Sequence, residues 1–337
     1  MNTHHLLKPI FTRLQQAGLA TPLLRQGIGG SARRDPEILA PRKIKTSIGT
    51  LNFFDEVPTR RTAESIQNHL DLMRGVDAFL KGMPGVTMIQ LRDTQRRVRA
   101  PSSLQSSIFF KMSQTDWPLR LPRASRYHAI SFLDLRRDGP VIVELPSGML
   151  GVFKDMWFQF VEDVGVAGVD QGRGGRYLVL PPAYEGHVPD DHFIVRPKTY
   201  GVWLLLRGSV RRTPVRPSDI AKGKLKIYPL RHHGRAQPAE FIDSAALANK
   251  TRIPRDLKFY EDLDRLVQEE PANAMDLARH DLFASIGISK DRPFRPNLRM
   301  QRILTDAAKI GRATIRTMTH FPRESEPPLD PAAAEAI

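Results

Sequence analysis

The chain of 337 residues is long enough for about two domains at roughly 150 residues each. Its 41% hydrophobic and 26% charged content is ordinary for a folded protein and excludes wholesale disorder. It carries 51 Lys plus Arg against 36 Asp plus Glu, a net charge of +15, and has no cysteine, which excludes disulfides, thiolate metal sites, iron–sulfur clusters and cysteine nucleophiles.

In chain order, residues 1–45 read as an irregular basic leader with one short helix near 5–17. They lack the continuous apolar core of a secretory signal, and no later run approaches the ~20 apolar residues of a membrane helix. The expectation is a cytoplasmic chain without a membrane partner. A β-rich core module over 46–235 follows, opening with a short strand at 48–53. Ile66, Leu70, Met73, Val76 and Leu80 recur at three- and four-residue steps, predicting a helix near 62–81 that buries this stripe in the core. Thr62 is its candidate N-cap, and Gly82 with Pro84 its stop.

Beyond this helix, short β-branched or aromatic runs at 86–91, 107–112, 128–135, 141–144, 157–161, 177–180, 193–196 and 200–207 are separated by Gly, Pro, Asp and Ser. That spacing predicts antiparallel strands. No helix-period segment alternates with them, which disfavours a doubly wound parallel sheet. Residues 236–321 turn helical: Asp256 caps a first helix, Pro271 opens a second, and a third carries Met300, Ile303, Leu304, Ala307, Ala308, Gly311, Ile315 and Met318 on one face. Residues 322–337, rich in Pro, Glu and Ala, read as a disordered tail. The fold class is α+β: mainly an antiparallel β sandwich or barrel, jelly-roll-like, with an N-terminal helix and a C-terminal helical segment.

Recognisable catalytic motifs are missing: there is no Gly-x-Ser-x-Gly elbow, no His-Glu-x-x-His and no Walker loop. Gly172-Arg173-Gly174-Gly175 leads into a predicted strand, so it reads as a turn between strands, although Arg173 and Arg176 keep an anion-binding role open. Asp163 and Asp170 either cap turns through backbone N–H groups or serve as acid and base beside apolar walls. Ser125, Tyr127, His128 and Asp134 cluster in sequence, but a triad converges from separate segments. His187 and His192 flank Asp190 and Asp191 on a loop read as solvated, and no metal or cofactor is expected.

The run from Gly168 through Asp170, Gly172, Arg173, Gly175, Arg176, Tyr177 and Pro181-Pro182 to Tyr184 and Gly186 resembles the signature of a bacterial domain-of-unknown-function family, number twelve fifty-four. Phe132-Leu133-Asp134-Leu135, Thr199-Tyr200-Gly201-Val202 and Ile227-Tyr228-Pro229-Leu230 support it, and the resemblance covers about residues 46–323. It implies a β-rich module followed by helices, with no reaction attached. Relatives usually continue into a second β module, number twelve fourteen, which does not follow here. Where they carry Leu-Thr-Ala-Asn before Thr-x-Tyr, this chain has Pro122, Arg123, Ala124, Ser125, Arg126 and Tyr127, a change that suits an acidic ligand.

The favoured reading is a ligand-binding or partner-docking β module. Arg126, Tyr127, Asp170, Arg173, Arg176 and Tyr177 would take a small or anionic ligand. The partner would be a separate second β module, against which the 300–318 helix face is expected to pack, or another copy of the chain. The alternative is a hydrolase-type enzyme with Asp134 or Asp163 as base, a tyrosine (Tyr127 or Tyr177) and an arginine (Arg126 or Arg176) holding developing charge. Nucleic acid is disfavoured, because the basic residues are scattered and no zinc-finger or aromatic strand motif accompanies them.

Overall fold

The computed structural model describes residues 42–98, 106–111, 127–208, 225–234, 240–243 and 252–321. The expected leader helix at 5–17 and the tail at 322–337 lie outside these residues. The chain divides into two compact units, Met1–Ser65 and Ile66–Ile337.

In the first unit, β1 (Lys43–Thr46), β2 (Gly49–Phe54) and β3 (Val57–Pro58) form an antiparallel sheet in that order. Asp55 and Glu56 both take positive φ, 46° and 68°, the backbone of a two-residue hairpin turn that matches strand twist. Helix α1 (Arg60–Val98) starts two residues before the expected cap. Thr59 Oγ1 accepts from Thr62 N at 3.3 Å. The Thr62 hydroxyl instead accepts from Asn52 N at 2.8 Å and so holds β2.

The structure overturns the helix stop at Gly82 and Pro84, and with it the strand at 86–91: α1 runs on to Val98 with Pro84 inside it. Val86, Thr87, Met88, Ile89 and Leu91 are buried on every side of the helix. An apolar run buried all round loses the 3.6-residue period and cannot be told from a buried strand by pattern. Interior proline costs about 3 kcal/mol, less than burying four apolar side chains at about 1.5–3 kcal/mol each.

The expected core stripe is also displaced. Ile66, Leu70 and Met73 are 37–49% exposed. The packing face runs instead through Leu72, Gly75, Ala78, Phe79, Gly82 and Met83. Its glycines allow close approach: a Cβ on Gly75 would lie 2.8 Å from Ala307 Cβ, and one on Gly85 would lie 2.4 Å from Leu266 Cδ2.

Two sheets follow in the second unit. The six-stranded sheet has the order β13-β4-β5-β11-β7-β8, from Glu240–Asp243, Ser106–Lys111, Tyr127–Asp134, Gly201–Gly208, Met149–Asp155 and Phe160–Gly165. The four-stranded sheet has the order β10-β9-β6-β12, from Phe193–Val195, Gly175–Val179, Val141–Leu145 and Lys226–Pro229. Neither order closes into a barrel among the described residues. Most pairs are antiparallel, but β9–β10 and β4–β13 are parallel. The period-2 alternation of β11 divides its side chains: Val202, Leu204 and Leu206 enter a cluster shared with Val143, Tyr177 and Val179 of the other sheet, whereas Trp203 and Leu205 join the helices. Being buried on both faces makes β11 a continuous apolar run.

The expected strand at 157–161 begins only at Phe160. Asp155 accepts from Trp157 N at 2.9 Å and Gln159 N at 2.8 Å, which bends the chain before β8 can start.

Three helices complete the unit. Helix α3 (Leu257–Glu269) is capped by Asp256, as expected. Pro271 opens only a short 3-10 turn, and α4 (Leu277–Ser285) begins after Asp276. In α5 (Leu298–His320), Leu304, Ala307, Ala308, Gly311 and Ile315 are buried. That face packs into this chain's own helical core. Helix α2 (Leu135–Asp138) is the single turn after β5.

Glu270 ends α3 and accepts from Tyr200 N at 2.5 Å and Gly201 N at 3.0 Å, tying the helices to the start of β11. Burial raises its pKa to about 7 against these bonds, and burial likewise raises Asp155 to about 6.

Gly75→Ala should lower unfolding stability by up to about 2 kcal/mol in urea denaturation, because overpacking against Ala307, about 1–3 kcal/mol, outweighs the ~1 kcal/mol gain in helix propensity. The raised carboxyls also predict a pH dependence. Their contribution is complete below the ordinary carboxylate range and is lost as pH rises through about 6 and 7. Stability measured from pH 5 to 8 should therefore fall with pH, and Glu270→Gln should flatten the upper part of that slope.

Candidate functional site

The Gly-rich segment is a turn between β8 and β9, organised by one carboxylate. Asp170 is buried and accepts from Gly165 N at 2.7 Å, Gly174 N at 2.9 Å and Tyr177 Oη at 2.5 Å. Gly172 and Gly174 have φ of 76° and 79°, and a Cβ on Gly174 would lie 2.5 Å from Leu145 O. This position therefore needs glycine for both backbone and space. Burial first, then the bond to Asp170, raises the Tyr177 pKa, so the phenol remains a neutral donor.

The residues singled out in the sequence do not gather at one place. Asp170 and Tyr177 are consumed inside the turn. Arg173 Nε donates to Asp170 O at 3.3 Å, and Arg176 pairs with Asp191 at 2.7 Å. Asp163 lies on β8 opposite Val152. Tyr127 opens β5 opposite Lys111, about 23 Å along the strand from Asp134 at some 3.3 Å per residue. Arg126 lies outside the described residues. Among the described residues, no three His, Asp or Glu side chains are placed to hold a metal ion.

Of these residues, Asp134 lines a cleft in the second unit. The cleft is built from α1, the end of β5 with α2, and β12, and it includes Arg92, Arg96, Arg137, Asp138 and Tyr228. Its free volume is about 50 Å³, room for a small ion rather than a bulky substrate. Asp134 caps α2 by accepting from Arg137 N at 3.2 Å, and it pairs with Arg96 at 3.0 Å. Arg137 makes a two-pronged pair with Asp138 at 2.9 and 2.6 Å, the bond that holds its pKa high. Arg96 is pushed down, first by burial and then by the charge of Arg92. The Tyr228 phenol donates to Glu144 at 2.6 Å, and burial with that bond raises its pKa.

Arg92 is the unusual member, only 5% exposed. Its Nη2 lies 2.6 Å from Glu269 Oε2, yet Nε and Nη2 are buried without a hydrogen bond. The charges are paired in distance, but the directional requirement of the donors is unmet, and buried donors left unmet cost about 1–3 kcal/mol each. Sequence reading missed Arg92 and Arg96 because the helix was expected to end before them. Their four-residue spacing, which places both on one helix face, was the available signal. Arg137 and Asp138 were legible as one capped turn from Asp134 and Gly139, whose φ is 70°.

The fold and cleft define a mixed α+β protein with a small arginine-lined recess. Residues 121–229 match the family model described as "Protein of unknown function (DUF1254)", a match consistent with a DUF1254-type domain over that stretch. No curated protein matches the sequence. Among solved structures, the VPA0106 protein from Vibrio parahaemolyticus is similar with a TM-score of 0.51 and 16% identity, covering 74% of this chain. At that identity the likeness concerns the fold alone, and the chain spans 60% of the Vibrio protein's length. An uncharacterized protein from Burkholderia cenocepacia aligns over 55% of this chain and 54% of its own at 14% identity, with a TM-score of 0.25.

Asp170→Ala should cost about 2 kcal/mol or more, since it strips a charged acceptor from three buried donors. Chemical denaturation measures the loss. Asp163→Ala, on β8 and outside this network, should cost clearly less.

Proposed function

We propose that this chain is a binding module for a small monoanionic ligand of the carboxylate class, held in the recess between α1, α2 and β12. Its scaffold is a jelly-roll-like sandwich, a reading supported by the apolar cluster to which both sheets contribute. The observation that carries the functional reading is Arg92, a buried guanidinium lining the recess whose Nε and Nη2 make no well-directed hydrogen bond although Nη2 lies beside Glu269. A planar carboxylate matches the fork of a guanidinium. Asp134 and Asp138 on the same walls repel a second negative charge, so a monoanion fits better than a dianion. The free volume limits the part taken in to the size of an acetate group.

The test is calorimetry and thermal unfolding of the chain with acetate, glycolate and related short carboxylates, repeated on Arg92→Met. Saturable binding should stabilise the chain by about 2.7 kcal/mol at a hundredfold excess over the dissociation constant, and Arg92→Met should lose at least tenfold in affinity. An equal response in the variant, or no carboxylate response at all, overturns the reading.

A further inference from the structure

The outward side of α5 holds a second gathering of positive charge, of a different kind. Arg312 and Arg316 stand four residues apart on this helix, so both face the same way. Arg255 comes from just before the Asp256 cap of α3, the helix that packs on α5. Elsewhere on α5, Arg299 pairs with Asp71 at 2.6 Å and Lys309 with Asp306 at 3.0 Å. Among the described residues, Arg255, Arg312 and Arg316 have no ion pair or hydrogen bond, and Arg312 Nε is buried without an acceptor. Burial first, and then the charges of Arg255 and Arg316, lower the Arg312 pKa; three like charges press on one another with no carboxylate between them. The half-negative C-terminus of a helix attracts cations in its last turn, which accounts for His320. It does not account for Arg255, which belongs to another element, or for an Arg312 nitrogen shut away from water.

We propose that Arg255, Arg312 and Arg316 form a second anion site, between the start of α3 and the last third of α5, that takes a phosphate monoester dianion. Three forked guanidiniums offer donors to the three terminal oxygens of a phosphate monoester. Two negative charges answer the mutual repulsion more fully than the single charge of a carboxylate. The contrast with the recess is one of pairing: there Arg92, Arg96 and Arg137 each pair with a carboxylate, whereas among the described residues none of these three does.

The test uses the full chain, with calorimetry and NMR of arginine Nε–H resonances. Four probes are titrated: inorganic phosphate, glycerol phosphate, acetate, and vesicles containing phosphatidic acid. Phosphate should bind saturably and at least tenfold more tightly than acetate, and the Arg312 signal should move with it. Arg312→Met should weaken phosphate at least tenfold. Arg255→Ser, at an exposed position ahead of the helix, gives a variant whose folding is not at stake and should weaken it similarly. Arg92→Met should leave it unchanged. Binding to glycerol phosphate assigns the monoester to a soluble molecule, and binding to the vesicles alone assigns it to a lipid; either supports the site if Arg255→Ser abolishes it. Acetate binding as tightly as phosphate, indifference to Arg255→Ser, or loss of phosphate binding in Arg92→Met overturns the proposal.

Discussion

The close approach of α1 to α3 and α5 governs the rest of the second unit. Gly75 and Gly85 remove the side chains that would hold those helices away, and Leu266, Ala307 and Trp157 fill the space. Tyr260 reaches across to donate to Gly75 O at 2.9 Å, so the contact is fixed by a directional bond as well as by packing. Only with α1 wedged this deeply do Val86 to Leu91 become buried all round, and only then does the helix continue far enough to carry Arg92 and Arg96 to the recess. The placement of these recess arginines is thus a consequence of a packing choice two turns upstream.

A second constraint works at the far edge of the sheets. Asp170 replaces hydrogen bonds that a tight glycine-rich turn cannot make for itself, and it spends its whole carboxylate on that task. The motif that is most conspicuous in the sequence is therefore architectural. The same chemistry recurs at Asp155 and Glu270, where a buried carboxylate gathers two backbone N–H groups at a change of direction. Acidic residues in this strongly basic chain are used largely as internal fasteners, and many arginines are left facing outward.

Much of the fold was legible because it follows local rules. Strands β5, β6, β9 and β11 announce themselves by β-branched and aromatic runs between turn residues, and α5 shows its buried face in the spacing from Leu304 to Ile315. What failed did so for identifiable reasons. Pro84 was given its usual weight as a helix breaker, when burial of the following turns exceeds its cost. The stripe from Ile66 to Met73 looked like a core because apolar residues were counted, whereas the true contact face is marked by small residues and by Asn68 and Asp71, both bonded to Arg299. The recess is hidden for a related reason: Arg92 and Arg96 lie beyond both the expected helix end and the strand expected at 86–91, and Tyr228 is more than a hundred residues away in sequence. Asp134 alone bridged the two views, since its position at the end of β5 could be read directly.

Trp157 and Trp203 are both sunk in the layer where the helices meet the six-stranded sheet. Trp203 donates to Asp155 O at 3.0 Å, whereas the Trp157 indole N–H has no acceptor and its ring stacks on Phe283 of α4 at 6.1 Å. These two indoles therefore sit in different polarities within one seam. Detachment of α4 would wet the first while leaving the second dry, and the colour of the chain's ultraviolet emission becomes a built-in gauge of whether helices and sheet come apart together or in succession.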